Sequence, residues 1–208
     1  QDLALRVTMA ACAAPRALRI VVLGTFSDAT AAYARDLAPY LAPEDLAIAW
    51  TTDRREDLPG RIDLVVSPRT LAAQAAALFP GIPQVSMILI PNEATRVALA
   101  GIRPDARVLL VSYFDDFLSV LKAGVARFAP HLGRVTAVAR TADDLDRLIA
   151  ECDVLIHATG ADYLAARLGA RQAAIEYRHT PDSHAVQTQL LPALDGLRAA
   201  GPIKGETP

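Results

Sequence analysis

The residues with the clearest chemical potential follow the apolar, strand-length runs of this chain. The first run ends in Gly24-Thr25-Phe26-Ser27-Asp28, and the third ends in Ser67-Pro68-Arg69-Thr70. In the second half the runs end in Ser112-Tyr113-Phe114, Arg140-Thr141, Ala158-Thr159-Gly160-Ala161 and Tyr177-Arg178-His179. These strand ends are rich in hydroxyl groups, with aromatic rings and a few arginines among them.

Such groups suit an anionic oxygen. Hydroxyls and backbone N–H groups at helix starts bind carboxylate or phosphate, and an arginine can clamp the same group through two hydrogen bonds. Ligands of open α/β sheets bind beyond the carboxyl ends of the strands. We therefore predict that the ligand-binding residues are Thr25, Ser27, Ser67, Arg69, Asn92, Ser112, Tyr113, Thr159, Tyr177 and Arg178. For each serine and threonine the alternative role is a helix cap, and for each arginine it is a solvated surface charge.

Motifs of several enzyme classes are missing from the sequence. A single glycine, Gly24, ends the first strand-length run, so the GxGxxG turn of dinucleotide-binding proteins is absent. The chain also has no GxxxxGK[ST] phosphate loop and no GxSxG nucleophile elbow. We accordingly expect no cofactor and assign no catalytic residue.

The histidines and cysteines do not predict a metal site. His179 and His184 flank Asp182, but their five-residue spacing keeps the two rings off one helical face. Cys12 and Cys152 lie far apart and form no CxxC or Cys/His spacing. Two small buried thiols in a reducing compartment are the simplest interpretation of these cysteines.

The elements that would position these residues alternate along the chain. Apolar runs occur at Leu18–Leu23, Leu46–Thr51, Ile62–Val66, Gln84–Ile90, Arg107–Val111, Arg134–Ala139, Val154–His157 and Ala173–Tyr177. Helix-length stretches separate them, at residues 29–41, 71–78, 93–100, 141–151 and 183–197. Strands alternating with helices of this length predict an α/β fold with parallel sheets.

The strands fall into two halves of four, on either side of a Gly-Ile-Arg-Pro-Asp turn at residues 101–105. We predict a connector helix over residues 1–17, a first α/β lobe over 18–100, a second over 101–200 and a loose tail over 201–208. The final helix is expected to pack back on the first lobe. Two parallel-sheet lobes with a ligand cleft between them are favoured, with one continuous sheet as the alternative.

Composition narrows the possible partners. The chain has 208 residues, of which 52% are hydrophobic, and a net charge of −2. A chain with so small a net charge lacks the excess of positive charge that proteins use to bind nucleic acid. No apolar run approaches the roughly 20 residues of a membrane span, and Val7–Ala14 is too short for an export signal. These features favour a cytoplasmic protein without membrane contact, and the opening at Gln1 favours a fragment of a longer chain.

Four segments resemble the C-terminal effector domains of GntR-type, winged-helix transcription regulators. They are Ile90-Pro91-Asn92-Glu93-Ala94-Thr95-Arg96, Arg107-Val108-Leu109-Leu110-Val111-Ser112, Asp153-Val154-Leu155-Ile156-His157-Ala158-Thr159-Gly160 and Ile175-Glu176-Tyr177-Arg178-His179. The domains in question are similar to type 1 periplasmic binding proteins, in which two α/β lobes close on a small molecule. The resemblance implies a winged-helix, DNA-binding part upstream of Gln1.

These observations favour an effector-sensing domain that binds a small, anionic molecule. The expected partners are that effector and a second copy of the chain, with DNA contacted only through the upstream part. Two alternatives stay open: a solute-binding protein of a transporter, and an enzyme on a small acid such as a racemase or lyase. An export or lipidation signal upstream, in place of a winged helix, would indicate the solute-binding protein. Consumption of the ligand would indicate the enzyme.

Overall fold

A computed structural model of the protein describes residues 16–54, 60–113 and 115–200, and describes Asp115 and Asp116 by their backbone alone. Most of the predicted connector (residues 1–15, with Cys12) and all of the predicted tail (201–208) lie outside the described residues.

The described part alternates strands and helices, which confirms the predicted α/β class. The strands are β1 (Arg19–Gly24), β2 (Leu46–Thr51), β3 (Leu64–Pro68), β4 (Gln84–Met87), β5 (Leu89–Pro91), β6 (Arg107–Ser112), β7 (Arg134–Ala139), β8 (Val154–Ala158), β9 (Ala173–Tyr177) and β10 (His179–Pro181). The helices are α1 (Ser27–Leu37), α2 (Ala72–Leu78), α3 (Glu93–Ala100), α4 (Asp115–Phe128), α5 (Leu145–Glu151), α6 (Ser183–Ala185) and α7 (Leu191–Ala199). A π-helical segment, Val186–Leu190, joins α6 to α7, and 3-10 turns cover Ala38–Tyr40, Arg69–Leu71 and Asp162–Arg167.

The described chain divides into two compact units. Unit 1 holds the described residues up to Ile88 and from Pro181 onward, and unit 2 holds Leu89–Thr180. Within residues 16–200, no described helix is long and apolar enough to cross a membrane.

The sheet of unit 1 has four parallel strands in the order β2-β1-β3-β4. Successive residues of a strand face opposite sides of its sheet. Ile20 and Val22 of β1 pack with the C-terminal helix on one side, whereas Val21 and Leu23 pack with α2 on the other. Burial on both faces is the physical reason why this strand is a continuous apolar run.

The sheet of unit 2 repeats the arrangement, with four parallel strands in the order β7-β6-β8-β9. Leu110 of β6 packs against Leu121 of α4 on one face. Leu109 packs against Ile149 of α5 on the other face. The prediction of two four-stranded parallel sheets is therefore confirmed.

The two units also repeat a hydrogen-bonded pair at the start of the central strand. The backbone N–H of Arg19 donates to the Asp63 carboxylate at 2.9 Å, and that of Arg107 donates to Asp153 at 2.8 Å. Each aspartate N–H in turn donates to the carbonyl of its arginine, at 2.9 and 2.8 Å. Hydrogen bonds from the Arg107 side chain and backbone lower the pKa of Asp153 to about 2. Each pair fixes the register of the first strand against the third.

Each unit contains a helix that follows the strands of the other unit in sequence. Helix α3 follows the four strands of the unit 1 sheet, yet it belongs to unit 2, where Leu99 is buried in the core. The C-terminal helix follows β9 and β10, yet Leu194 of α7 is buried in the core of unit 1. The chain thus passes between the units at Ile88 and again at Thr180, whereas the sequence analysis placed one boundary after residue 100.

A buried carboxylate attaches the C-terminal helix to unit 1. The Asp45 side chain is 0% exposed and accepts hydrogen bonds at 2.9 Å from the backbone N–H groups of Leu18 and Ala42. It also forms an ion pair with Arg198 of α7. Several hydrogen bonds are needed to compensate a buried charge, and here they join the starts of β1 and β2 to the last helix.

Several elements differ from their predicted form, and three of the differences follow. The run Gln84–Ile90 is broken at the exposed Ile88 into β4 and β5. The helix predicted from residue 141 begins at Leu145, because residues 142–145 form a turn closed by the Leu145 N–H to Ala142 carbonyl bond. Helix α4 occupies Asp115–Phe128, a range that is missing from the predicted helices.

Candidate functional site

The strand order of each sheet determines where a ligand-binding crevice can form. In unit 1 the chain moves from β1 outward to β2 and then crosses to β3 on the other side of β1. In unit 2 it moves from β6 to β7 and then crosses to β8. Ligands of doubly wound sheets bind at the carboxyl ends of the strands, where the order reverses. The loops after β1 and β3, and those after β6 and β8, are therefore the candidate sites.

In unit 1, Thr25 and Ser27 follow β1 and are both exposed. Helix α1 begins at Ser27, and Phe26 at its capping position makes no side-chain hydrogen bond to the helix. A Cβ added to Gly24 would lie 2.0 Å from the Thr30 hydroxyl, so glycine at the end of β1 lets α1 approach the strand closely. The start of α1, with two exposed hydroxyls beside it, can thus receive an anionic oxygen.

The loop after β3 contributes one accessible residue to the same edge of unit 1. Arg69 is exposed at the start of a 3-10 turn. Ser67 is 2% exposed, and its hydroxyl lies 3.3 Å from that of Ser86 on the neighbouring strand β4. We conclude that Arg69 can reach a ligand, whereas Ser67 pairs two strands beneath the surface.

In unit 2, the loops that follow β6 and β8 are directly joined. The Tyr113 hydroxyl donates to the carbonyl of Gly160, whose φ of 88° lies in the left-handed region that favours glycine. Thr159 is half-buried in the same loop, and Ser112 is buried at the end of β6. The structure therefore groups Ser112, Tyr113 and Thr159 at the reversal point of unit 2.

Arg140, which was not among the predicted ligand residues, belongs to this group. Its guanidinium carbon lies 5.0 Å from the centre of the Tyr113 ring. Its backbone N–H donates to the Ser112 carbonyl at 2.8 Å. The signal in the sequence was its position directly after β7, which is the same kind of position as those of the other predicted residues.

Asn92, predicted to bind the ligand, caps a helix. The Asn92 side chain accepts a hydrogen bond from the Thr95 N–H at 2.8 Å, at the start of α3. The buried Thr95 hydroxyl donates to the Glu176 carbonyl at 2.9 Å and accepts from the Arg178 N–H at 3.2 Å. Asn92 and Arg178 thus lie where α3 is attached to the end of β9, and Asn92 belongs to unit 2 rather than to the first half.

The burial of Tyr177 does not support its predicted role as a ligand-site wall. The residue is 2% exposed and packs in the core of unit 2. A Cβ added to Gly124 of α4 would lie 1.6 Å from the Tyr177 hydroxyl oxygen. Burial raises the pKa of Tyr177 to about 12, so its ring is a neutral packing element between β9 and α4.

Three of the four histidines have local hydrogen-bonding or packing partners. His131 Nε2 lies 2.8 Å from the Ile102 carbonyl, and His157 Nδ1 lies 3.0 Å from that of Ala158. His179 packs edge-on against the rings of Phe117 and Tyr177, with centroids 5.7 and 5.1 Å away. Within the described ranges, no group of three or more His, Cys, Asp or Glu side chains is placed to hold a metal ion.

A concavity of about 1010 Å³ lies away from these loops, at the amino edge of the unit 2 sheet. Its walls include the ion pair of Arg107 with Asp153 and Gln172, whose amide donates to the Ile149 and Cys152 carbonyls at the end of α5. Burial raises the pKa of the Cys152 thiol in this wall, which disfavours a reactive thiolate. Because these polar groups already satisfy each other, we favour the carboxyl edge as the ligand site.

Comparison with models of known protein families gave no match, and comparison with curated proteins gave none either. The candidate site is therefore defined by the geometry of the chain's own residues.

Proposed function

We propose that this chain binds a small anionic molecule at the carboxyl edges of its two sheets, as an effector-sensing domain. The observation that supports binding is the strand order shared by both units. It places loops with exposed hydroxyl and guanidinium groups beside the reversal point of each sheet, where such folds bind ligands.

Unit 1 offers donors for a negatively charged group. The start of α1 presents backbone N–H groups, and the exposed hydroxyls of Thr25 and Ser27 lie beside them. Arg69 follows β3, the strand next to β1, and supplies a positive charge. Helix dipole, hydroxyls and guanidinium all favour an anion over a neutral or cationic ligand.

Unit 2 offers a ring and a second positive charge. Tyr113 is held by its hydrogen bond to Gly160, and the Arg140 guanidinium lies over its ring at a cation–π distance. The half-buried Thr159 adds a hydroxyl in the neighbouring loop. An anion with an apolar body could contact Arg140 through its charged group and the Tyr113 ring through its apolar part.

The regulatory part of the proposal depends on the resemblance to effector domains of winged-helix regulators. In this proposal the units act as two lobes that close on one ligand, and closure changes how an attached DNA-binding part pairs or orients. A ligand shifts such an equilibrium only through its different affinities for the two states. The regulator would be a cytoplasmic homodimer that contacts DNA through a segment upstream of Gln1.

Thermal unfolding with a panel of small acids, phosphorylated metabolites and sugars tests the proposal. A ligand present at a hundred times its Kd should stabilise the folded chain by about 2.7 kcal/mol, which raises Tm by a few degrees. We expect Arg69→Ala to reduce this rise. The matched control is Arg35→Ala, which removes an exposed arginine from the last turn of α1, and it should leave the rise unchanged.

Whether the ligand is chemically changed distinguishes a sensor from an enzyme. A compound recovered unchanged after incubation with the protein supports a sensor. A compound that is consumed would overturn the sensor in favour of an enzyme on a small acid, and no shift with any compound would contradict ligand binding itself.

A further inference from the structure

Arg140 occupies a defined position among the loops of unit 2. It directly follows β7, and its N–H donates to the carbonyl of Ser112, the last residue of β6, which extends the pairing of the two strands past the end of β7. This bond keeps the Arg140 backbone beside the reversal point. Its side chain is exposed and so can be reached by a small molecule.

The Arg140 guanidinium contacts the Tyr113 ring, and a hydrogen bond to Gly160 fixes that ring. The guanidinium carbon lies 5.0 Å from the centre of the Tyr113 ring, which is within the range of a cation–π interaction. The Tyr113 hydroxyl donates to Gly160 in the loop after β8. Loops from three neighbouring strands are therefore linked in sequence, from Arg140 through Tyr113 to Gly160.

Several arginines of unit 2 have their charge paired with a carboxylate of the same unit. Arg107 pairs with Asp153, Arg147 pairs with Asp144 and Glu151, and Arg167 pairs with Asp146. Arg140 forms no ion pair with a carboxylate in the part of the chain that the structure describes. Its positive charge is accordingly available for a ligand.

The remaining hydrogen-bonding capacity of the Arg140 guanidinium indicates which ligand it can bind. The contact with the ring uses no oxygen or nitrogen acceptor, so the N–H donors of the guanidinium are left for a second partner. A carboxylate matches two of these donors, and its single negative charge balances the single positive charge of Arg140. A phosphate monoester carries about −1.5 to −2 at neutral pH, so one guanidinium does not balance its charge.

We propose that Arg140 binds a carboxylate of the ligand at the carboxyl edge of unit 2, and that Tyr113 is the residue that positions it. This inference rests on the proposed ligand-binding function and names the chemical class of the ligand. Tyr113 acts through Arg140, so its ring is required and its hydroxyl contributes only by fixing the ring.

The test uses the whole chain and a fixed set of probes. Acetate, succinate, glutarate and benzoate are each compared with the corresponding amide, and inorganic phosphate is included as a second anion. Thermal unfolding identifies binding probes, and titration calorimetry gives their Kd. The wild-type chain should bind at least one carboxylate and discriminate against its amide.

Three variants of the Arg140 site are measured with that carboxylate. Arg140→Gln should raise Kd roughly 10- to 100-fold, the effect of losing charge-assisted hydrogen bonds. Tyr113→Leu should raise Kd as well, whereas Tyr113→Phe, which keeps the ring, should restore most of the affinity. Arg171→Gln is the matched control, because Arg171 is an exposed arginine at the amino edge of the same unit, and its Kd should equal that of the wild type.

The outcomes distinguish this inference from the proposed function. If the wild type binds a carboxylate and Arg140→Gln, with an unchanged Tm without ligand, keeps its Kd within twofold, the assignment of Arg140 is overturned while ligand binding stands. If only phosphate, phosphorylated metabolites or sugars bind, the carboxylate class is overturned. If no compound of either panel binds, the proposed function fails together with it.

Discussion

Single polar residues at the strand ends divide into two kinds. Some, such as Thr25, Ser27 and Arg69, are exposed beside a reversal point. Others complete the hydrogen bonding of the fold, as Asn92 does at the start of α3. Both kinds occur because a strand end is where a following helix needs a cap and where a ligand needs a donor.

His179 is the residue for which a pH effect follows from its surroundings. Burial against aromatic rings lowers its pKa from 6.5 to about 4. Between these values the unfolded chain holds a proton that the folded chain does not. His179 therefore contributes fully to stability above pH 6.5, and its contribution is lost as the pH falls toward 4, by up to about 3 kcal/mol.

Urea unfolding of the wild type and of His179→Phe, at pH 7.5 and pH 5, measures this effect. We expect the variant to lose less stability on acidification than the wild type. His184→Phe, which replaces an exposed histidine, should behave as the wild type does. Equal pH dependence of wild type and His179→Phe would show that His179 titrates normally.

At the scale of elements, α4 and β9 pack closely at Gly124. Gly124 of α4 faces the Tyr177 ring, and an added Cβ would lie 1.6 Å from its hydroxyl oxygen and 2.6 Å from Cζ. Interiors packed this closely do not absorb an extra methyl group without moving. Glycine at this position therefore sets the distance between the helix and its strand.

Gly124→Ala should destabilise the protein although alanine favours helices. Overpacking typically costs about 1–3 kcal/mol, which exceeds the gain of about 1 kcal/mol from helix propensity. Gly196→Ala in α7 is the matched control, because an added Cβ would meet nothing within 4 Å, and it should stabilise by about that gain.

The free energy of unfolding in urea checks both changes. In the Gly124→Ala background, Tyr177→Phe removes the nearest clashing atom and should recover part of the loss. A Gly124→Ala protein as stable as Gly196→Ala would contradict the close approach of α4 to β9.

At the scale of the whole molecule, the helices are exchanged between the units. Leu194 follows the strands of unit 2 but lies in the core of unit 1, and Leu99 follows the strands of unit 1 but lies in the core of unit 2. Both side chains are 0% exposed. The stability of each unit therefore depends on a helix encoded after the strands of the other.

Replacing each leucine by alanine tests this exchange. Each change should cost about 2–5 kcal/mol, as is usual for a leucine removed from a core. Native-state hydrogen exchange should show that Leu194→Ala reduces protection first in β1, β3 and β4, whereas Leu99→Ala reduces it first in β6, β8 and β9. Loss of protection confined to the strands that precede each helix would disprove the exchange.

The sequence by itself determined the class of the fold and the order of its elements. Continuous β-branched runs such as Ile20–Leu23 are buried on both faces in parallel sheets, and amphipathic stretches between them form the crossover helices. The ends of several strands, among them those of β2, β7 and β9, were predicted to the residue. Local patterns suffice to predict strands and helices because hydrophobic periodicity is visible within a few neighbouring residues.

Tertiary structure alone decided which strands are neighbours, which half each helix packs on and which polar residues are accessible. Nothing local distinguishes Asn92, a helix cap, from Thr25, an exposed hydroxyl, because both precede helices. The link from Arg140 through Tyr113 to Gly160 joins residues 20 or more positions apart. Such pairs are brought together by the strand order, which results from long-range packing and is not written in any short segment.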